Sequence, residues 1–557
     1  MPAWYPHQTT CDALMSDDTP PEKRFDLLIE ALSRPSAFGH DVDTIRTIET
    51  HISVVLLTGR YAYKIKKPVD LGFVDFSTLD KREHYCHEEL RLNRRLAENL
   101  YVAVVPITGP LADARINGDG PVLDYAVKMN QFDPDAQLDR ELERGIVERS
   151  HIERFAVDLA EFHQRIDVAT VDTEYATQAM LEKRVLQNFE QSAPCVDDEA
   201  LRAKLDQIET WSRRSLDRHR EEFAARKRDG FVRECHGDMH LANMVYIDGR
   251  VVAFDCLEFK AGLRWIDVMS EVAFTVMDLE FRQRPDLAGI LLNRYLEHSG
   301  DYAGLVVLAH YLCYRAMVRA KVACITRNQH HVASNAWKKE SAAFRAHVTL
   351  ARTYARHREG GPIVITHGVS GCGKTFITDR MLVGYRIVRI RSDLERKRLH
   401  GVRRDVHTHS RIGAGLYTTD ATTVTYKRLA ELCERLVTAG FAVIVDATFL
   451  RRAQRSMFRD LARRLNVTFL ILNVQAPHRV LEERVKRRSA AGTDASEATV
   501  DVLRQQLQSV EALVADEGLH TVTIDTVDAT DVQAKLAEFA TRFGRPSAPR
   551  IAESAST

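Results

Sequence analysis

One stretch constrains the fold of this chain more than any other: Ile363-Val-Ile-Thr-His-Gly-Val-Ser-Gly-Cys-Gly-Lys-Thr375. A β-branched run leads directly into G-x-x-x-x-G-K-T, which describes a buried strand, a glycine loop and a helix starting near Thr375. Such a loop turns backbone N–H groups onto phosphate oxygens, and the helix N-terminus adds a favourable field for anions. Gly368, Ser370, Gly371, Cys372 and Gly373 form the expected nucleotide-binding loop. Lys374 is expected to bridge β and γ phosphates, and Thr375 to ligate Mg²⁺.

A strand–loop–helix of this kind belongs to a parallel α/β sheet, whose ligands lie beyond the strand C-termini. Arg386–Asp393 reads as a strand ending in a carboxylate, which places Asp393 to meet an acceptor. Ala442–Thr448 is a further strand, and its Asp446 is a candidate for the Mg²⁺ shell or, alternatively, a substrate contact. The strand Val467–Val474 precedes a helix carrying Arg484, Arg487 and Arg488, either a phosphate lid or a solvated face. Arg391, Arg396 and Arg455 are candidates for binding an anionic acceptor.

The chain has 557 residues, too many for one ordinary core. The clearest internal boundary is Gly360-Gly361-Pro362, where a charged helical tail gives way to the Ile363 strand. This divides the chain into a folded part over 21–350, a linker over 351–361 and a second folded part over 362–545. Residues 1–20 and 546–557 are expected to be flexible ends.

In the first part, His-Ile-Ser-Val-Val-Leu-Leu-Thr-Gly-Arg-Tyr-Ala-Tyr-Lys-Ile-Lys (51–66) reads as two strands turning at Gly59-Arg60. Ala62, Lys64 and Lys66 share one strand face. A helical pattern follows over Lys81–Glu98, and the chain beyond Leu138 is mostly helical, which suggests a small sheet-containing lobe and a larger helical one. Leu305–Val318 is apolar but interrupted by His310 and Arg315, so it reads as a buried helix and not a membrane span.

His236-Gly237-Asp238, with Asn243 five positions after the aspartate, has the spacing of a kinase catalytic loop. An aspartate there orients an acceptor hydroxyl, and an uncharged Asn oxygen can hold a hard Mg²⁺. A hairpin over Tyr246–Val252, turning at Asp248-Gly249, then delivers Asp255, a second metal-ligand candidate. The same logic needs a strand lysine steadied by a helix glutamate. Lys64 is the candidate with Lys66 as fallback, and Glu89, or Glu88, is the partner. Glu258, Asp267 and Glu271 either shape the acceptor site or form salt bridges. Arg315, Arg319 and Lys321 either meet an anionic substrate, lie on a solvated face or form internal ion pairs. No glycine-rich loop precedes the lysine strand, unlike in protein kinases.

His236-Gly-Asp-Met-His-Leu-Ala-Asn243 resembles the HGDxxxxN loop of the aminoglycoside phosphotransferase-like kinases, and the likeness extends over roughly 25–350. It implies a bilobal, protein-kinase-like fold, Asp238 as catalytic base, and Asn243 and Asp255 as metal ligands. The later phrases Gly368–Thr375, Arg389–Leu399 and Gly440–Arg455 resemble the small P-loop kinases of the zeta-toxin, gluconate-kinase and polynucleotide-kinase kind. That similarity implies a parallel sheet with flanking helices, Asp393 as base, and Arg455 and the lid arginines on phosphate or acceptor. Together they imply a tandem kinase with two sites, using ATP or GTP with Mg²⁺ on small-molecule hydroxyl acceptors. Alternatives are a ligand-binding pseudokinase that regulates the P-loop half, and a toxin-like nucleotide-sugar kinase in the second half.

Lys+Arg and Asp+Glu both number 78, so bulk charge asks for neither nucleic acid nor an anionic membrane. The nine cysteines show no paired spacing and read as reduced thiols of a cytoplasmic protein. Nothing at the start resembles a signal peptide. Oligomeric state is not legible.

Overall fold

A computed structural model describes residues 20–72, 74–332, 334–356, 360–382, 384, 386–402, 418–491 and 498–543. The flexible ends expected at 1–20 and 546–557 fall outside these, apart from Pro20. The chain separates into two compact units, residues 1–136 with 252–264, and residues 137–251 with 265–557.

The first unit is built on an antiparallel sheet of β1 (Arg46–Glu49), β2 (Ser53–Leu57), β3 (Tyr61–Lys66), β4 (Tyr101–Thr108), β5 (Arg115–Ile116) and β6 (Val122–Asn130), in the order β1-β2-β3-β6-β4-β5. Alternation sorts the side chains. Leu56, Tyr63, Ile65 and Ala126 face one core, and Leu57, Ala62 and Val127 face another that includes Cys86 of the helix Leu79–Ala97. Thr78 caps that helix by accepting from the Lys81 N–H at 3.3 Å, the role expected of a hydroxyl at this position.

In the second unit, β7 (Val232–Glu234) pairs with β10 (Trp265–Asp267); β8 (Met244–Ile247) forms a hairpin with β9 (Arg250–Ala253), which runs across the boundary at Val251. The β8–β9 turn has positive φ at Asp248 (51°) and Gly249 (75°), the pair of left-handed residues that a tight hairpin demands. Helices follow. Val268–Phe281 is buried at every position from Val268 to Glu280, so each of its polar side chains needs a partner inside the protein. Leu305–Asn328 is the buried helix expected there.

The remaining strands, β11 (Ile363–His367), β12 (Ile387–Arg391), β13 (Ala442–Asp446), β14 (Phe469–Gln475) and β15 (Thr521–Asp525), form a parallel sheet in the order β12-β13-β11-β14-β15. The first four are buried almost throughout, as helices on both faces require. Because β11, β12 and β13 run parallel as neighbours, their C-terminal ends bring the glycine loop, Asp393 and Asp446 to one edge.

One expectation is corrected. Cys195 and Cys324 form a disulfide across 129 residues of sequence, while Cys86, Cys235, Cys256, Cys313, Cys372 and Cys433 are in no disulfide. Ala193–Cys195 follows a helix that packs against Leu305–Asn328, so the pair meets through tertiary packing that sequence spacing does not encode. No helix among the described residues is long and apolar enough to cross a membrane.

Candidate functional site

The glycine loop is shaped by its backbone. Gly368, Gly371 and Gly373 have φ of 146°, 85° and 100°, where a side chain is strained. A Cβ on Gly368 would also lie 2.5 Å from the Val474 carbonyl oxygen. Lys374 opens the helix Lys374–Arg380 and its Nζ donates to the Gly368 and Val369 carbonyls at 3.0 and 2.9 Å. The Thr375 hydroxyl donates to Asp446 Oδ2 at 2.9 Å. Two hard oxygen donors are thus held side by side, one of them anionic, the donor type that suits Mg²⁺. The residues present fit that ion.

Gly371, Gly373, Lys374, Thr375 and Asp446 line a cavity of about 1070 Å³. Ser370, Asp393, Arg391, Arg396, Arg484 and Arg488 also face it, as do Arg451 and Arg487. Arg484 donates to Thr526 Oγ1 at 2.7 Å and lies near the Gly371 carbonyl at 3.4 Å. Arg488 donates to the Ala498 carbonyl at 3.2 Å. Gln506 accepts from the Ser370 N–H at 2.7 Å. Arg455 is elsewhere, and its candidate role at the acceptor is corrected. It has no exposed surface, pairs with Glu517 at 2.8 Å, and donates to the Phe449 and Glu511 carbonyls. It fastens the chain around Phe449, which has a φ of 47°.

In the helical region, Asn243 Nδ2 donates to Asp238 Oδ2 at 3.0 Å and to the Asp238 carbonyl at 3.1 Å. Desolvation would raise the Asp238 carboxyl, but His240, Arg319 and His236 outweigh it and hold it well below the usual carboxylate range. Asp238 is therefore a carboxylate at neutral pH.

The loop that carries Asp238 is held by one helix face. Glu271 accepts from the Gly237 N–H at 2.7 Å, Thr275 donates to the Met239 carbonyl at 2.8 Å, and Asp278 accepts from the Leu241 N–H at 2.8 Å. The spacing 271, 275, 278 is a single helical stripe. Glu271 is fixed in turn by His163 Nε2 at 2.9 Å. His163, Cys235 and Glu271 are close enough to hold a metal, yet His163 already meets Glu271 and the Tyr295 hydroxyl through its two nitrogens. Of the alternatives for Arg315, the structure shows an internal role: the side chain is buried and donates to the Gly237 and Ser270 carbonyls at 3.0 and 3.1 Å.

In the first unit, Lys64 Nζ lies 2.8 Å from Glu89 and 2.5 Å from Asp255. Lys66, without exposed surface, pairs with the second Glu89 oxygen at 2.7 Å and also with Glu258. Desolvation would lower the Lys64 ammonium, but Asp255 and Glu89 hold it well above the usual value. Glu88 points away, to Arg91 and Arg264. Asp255 has a φ of 63°, a left-handed conformation uncommon outside glycine.

Sequence reasoning missed Thr275, Asp278, His163 and Gln506. A usable signal existed for the first two, since polar residues at i+4 and i+7 from Glu271 in a largely apolar helix need a reason.

Two family models match separate stretches of the chain. Residues 73–306 match the model of the phosphotransferase enzyme family, and residues 363–513 match that of an AAA domain. The match over 73–306 supports a phosphotransferase enzyme. Uncharacterized proteins of Mycobacterium tuberculosis and Mycobacterium bovis are 29% identical over 452 residues, covering 80% of this chain and 87% of theirs. A gluconokinase from Sinorhizobium meliloti aligns with 33% of this chain and 97% of its own at 21% identity, TM-score 0.24. A choline/ethanolamine kinase family protein from Mesorhizobium loti aligns with 59% and 99% at 10% identity, TM-score 0.35.

Proposed function

We propose that the chain is a tandem ATP-dependent kinase with two phosphoryl-transfer sites, each acting on a small hydroxyl-bearing acceptor. The observation that carries this reading is the Thr375–Asp446 contact of 2.9 Å beside Lys374, in a cavity that Asp393 also faces. ATP·Mg²⁺ would supply the transferable phosphoryl group and neutralise part of its charge. The residues do the rest by placement. Lys374 and the loop amides hold phosphate oxygens, Thr375 and Asp446 hold the ion, and Asp393 aligns the acceptor hydroxyl. Arg391, Arg396 and Arg451 line the same cavity and make it favourable for an acceptor that is itself anionic.

For the other activity, the first unit would supply Lys64, steadied by Glu89, for phosphate and Asp255 for an ion, while the second would supply Asn243 as a metal ligand and ionised Asp238 to orient the hydroxyl and take its proton. Glu271, Thr275 and Asp278 keep the backbone of that loop from yielding.

The test uses the full chain with γ-labelled ATP and a metabolite extract. Lys374→Ala and Asp238→Asn should each delete a different labelled product and spare the other. Loss of the same products from both variants would mean a single composite site and would refute the two-site reading.

A further inference from the structure

Arg389 lies in the middle of β12, at the edge of the parallel sheet, yet it has no exposed surface. Its guanidinium is divided between two parts of the molecule. Nε and one terminal nitrogen donate to Glu297 at 2.8 and 2.5 Å, on the helix Pro285–Ser299 of the helical region. The other terminal nitrogen donates to Asp379 at 2.7 Å and to Thr378 Oγ1 at 3.0 Å, on the helix that Lys374 opens. The Thr378 oxygen lies 3.4 Å from Asp446 Oδ2, the atom that accepts from Thr375.

A hydroxyl carries one hydrogen. With Arg389 donating to its oxygen, Thr378 has its hydrogen free to turn towards the Thr375 carbonyl at 3.2 Å or towards Asp446. The chain Glu297–Arg389–Thr378 thus ends on the carboxylate beside Thr375.

The same helix completes the sheet edge. Asn293 donates to the Ile387 carbonyl at 2.8 Å and accepts from the Arg389 N–H at 2.8 Å, the two bonds a neighbouring strand would make. Arg294 pairs with Glu297 at 2.9 Å and with Asp379 at 3.1 Å. This is a built contact, with its buried charges paired and its strand edge satisfied.

We propose that Glu297 and Arg389 are positioning residues for the Thr375–Asp446 pair, which makes a helix of the first kinase-like region a working part of the P-loop site. The inference rests on reading that cavity as a Mg²⁺–nucleotide site. Removing the Glu297 charge leaves the Arg389 cation buried with Asp379 as its nearest remaining anion. The guanidinium is then drawn towards Asp379 and Asp446, and the carboxylate is pulled away from Thr375. The loop amides and Lys374 are untouched. Metal binding should weaken while metal-free phosphate binding does not.

The experiment is hydrogen exchange on the full-length protein, following the peptide that spans 366–380, with ATP in EDTA and with ATP across a Mg²⁺ titration. Glu297→Gln is expected to need about tenfold more Mg²⁺ for half-maximal protection, the scale on which partners of metal ligands act. Protection by ATP in EDTA should stay at the wild-type level. Thr378→Val should reproduce the shift and Thr378→Ser should not, and this pair decides the matter if Glu297→Gln does not fold. Arg398→Ala, which removes a contact to the Leu296 carbonyl at the same interface, should leave the Mg²⁺ dependence unchanged. Wild-type Mg²⁺ dependence in both Glu297→Gln and Thr378→Val, or equal loss of protection with and without Mg²⁺, overturns the proposal. Absence of any ATP protection in the wild type overturns the reading of the cavity as well.

Discussion

At the scale of single residues, the buried charges separate structural roles from site roles. Arg455 was a candidate for the acceptor, but it is locked to Glu517 with no exposed surface. Replacing it by Met strands a nearly buried carboxylate, which typically costs about 3–5 kcal/mol. Chemical denaturation of Arg455→Met should show that loss, with ATP affinity at the P-loop unchanged in the protein that stays folded. Glu297 makes a pH prediction. Burial would raise its carboxyl, but Arg389, Arg391 and Arg294 pull it from 4.5 to about 2. Its folded value is depressed, so its contribution is complete above the unfolded value and fades as pH falls from 4.5 towards 2. The shift corresponds to about 3 kcal/mol. The stability difference between wild type and Glu297→Gln should therefore shrink across that acid window and be constant above pH 5 or so.

At the scale of elements, the helix Val268–Phe281 is the support of the catalytic-type loop. Thr275→Val keeps the shape and removes the donor to the Met239 carbonyl, at a cost of about 1–3 kcal/mol for the unpaired group. Hydrogen exchange should quicken in the peptide over 235–245 and not in the one over 366–380. Faster exchange in both would show that the helix braces more than this loop. Elements were also where the sequence was most legible. The glycine loop, the β8–β9 turn and the lysine strand announce themselves through local backbone demands and alternation, which a short window contains. The stripe 271, 275, 278 was half legible: Glu271 stood out, but its role waits on knowing which loop packs above. The Cys195–Cys324 disulfide and the Glu297–Arg389 pair, 129 and 92 residues apart in sequence, depend on packing that no local pattern records. Arg389 in particular looks like any charged residue in a short strand.

At the scale of the whole molecule, the boundary at Gly360-Gly361-Pro362 separates two sequence patterns but not two independent bodies. The helical region and the P-loop sheet lie in one compact unit, joined by Asn293, Arg294, Glu297 and Arg389. Gly289 is part of this contact, since a Cβ there would lie 2.7 Å from the Gly384 nitrogen. Gly289→Ala should destabilise the full-length protein by about 1–3 kcal/mol in a denaturant titration. Unchanged stability would mean the two parts separate freely.

The central claim is that this chain holds two nucleotides in two separate sets of residues. Equilibrium titration of the full-length protein with ATP·Mg²⁺ tests it most directly. The expected stoichiometry is about two per chain, falling to about one in Lys374→Ala. A wild-type value near one that vanishes in Lys374→Ala would contradict the account.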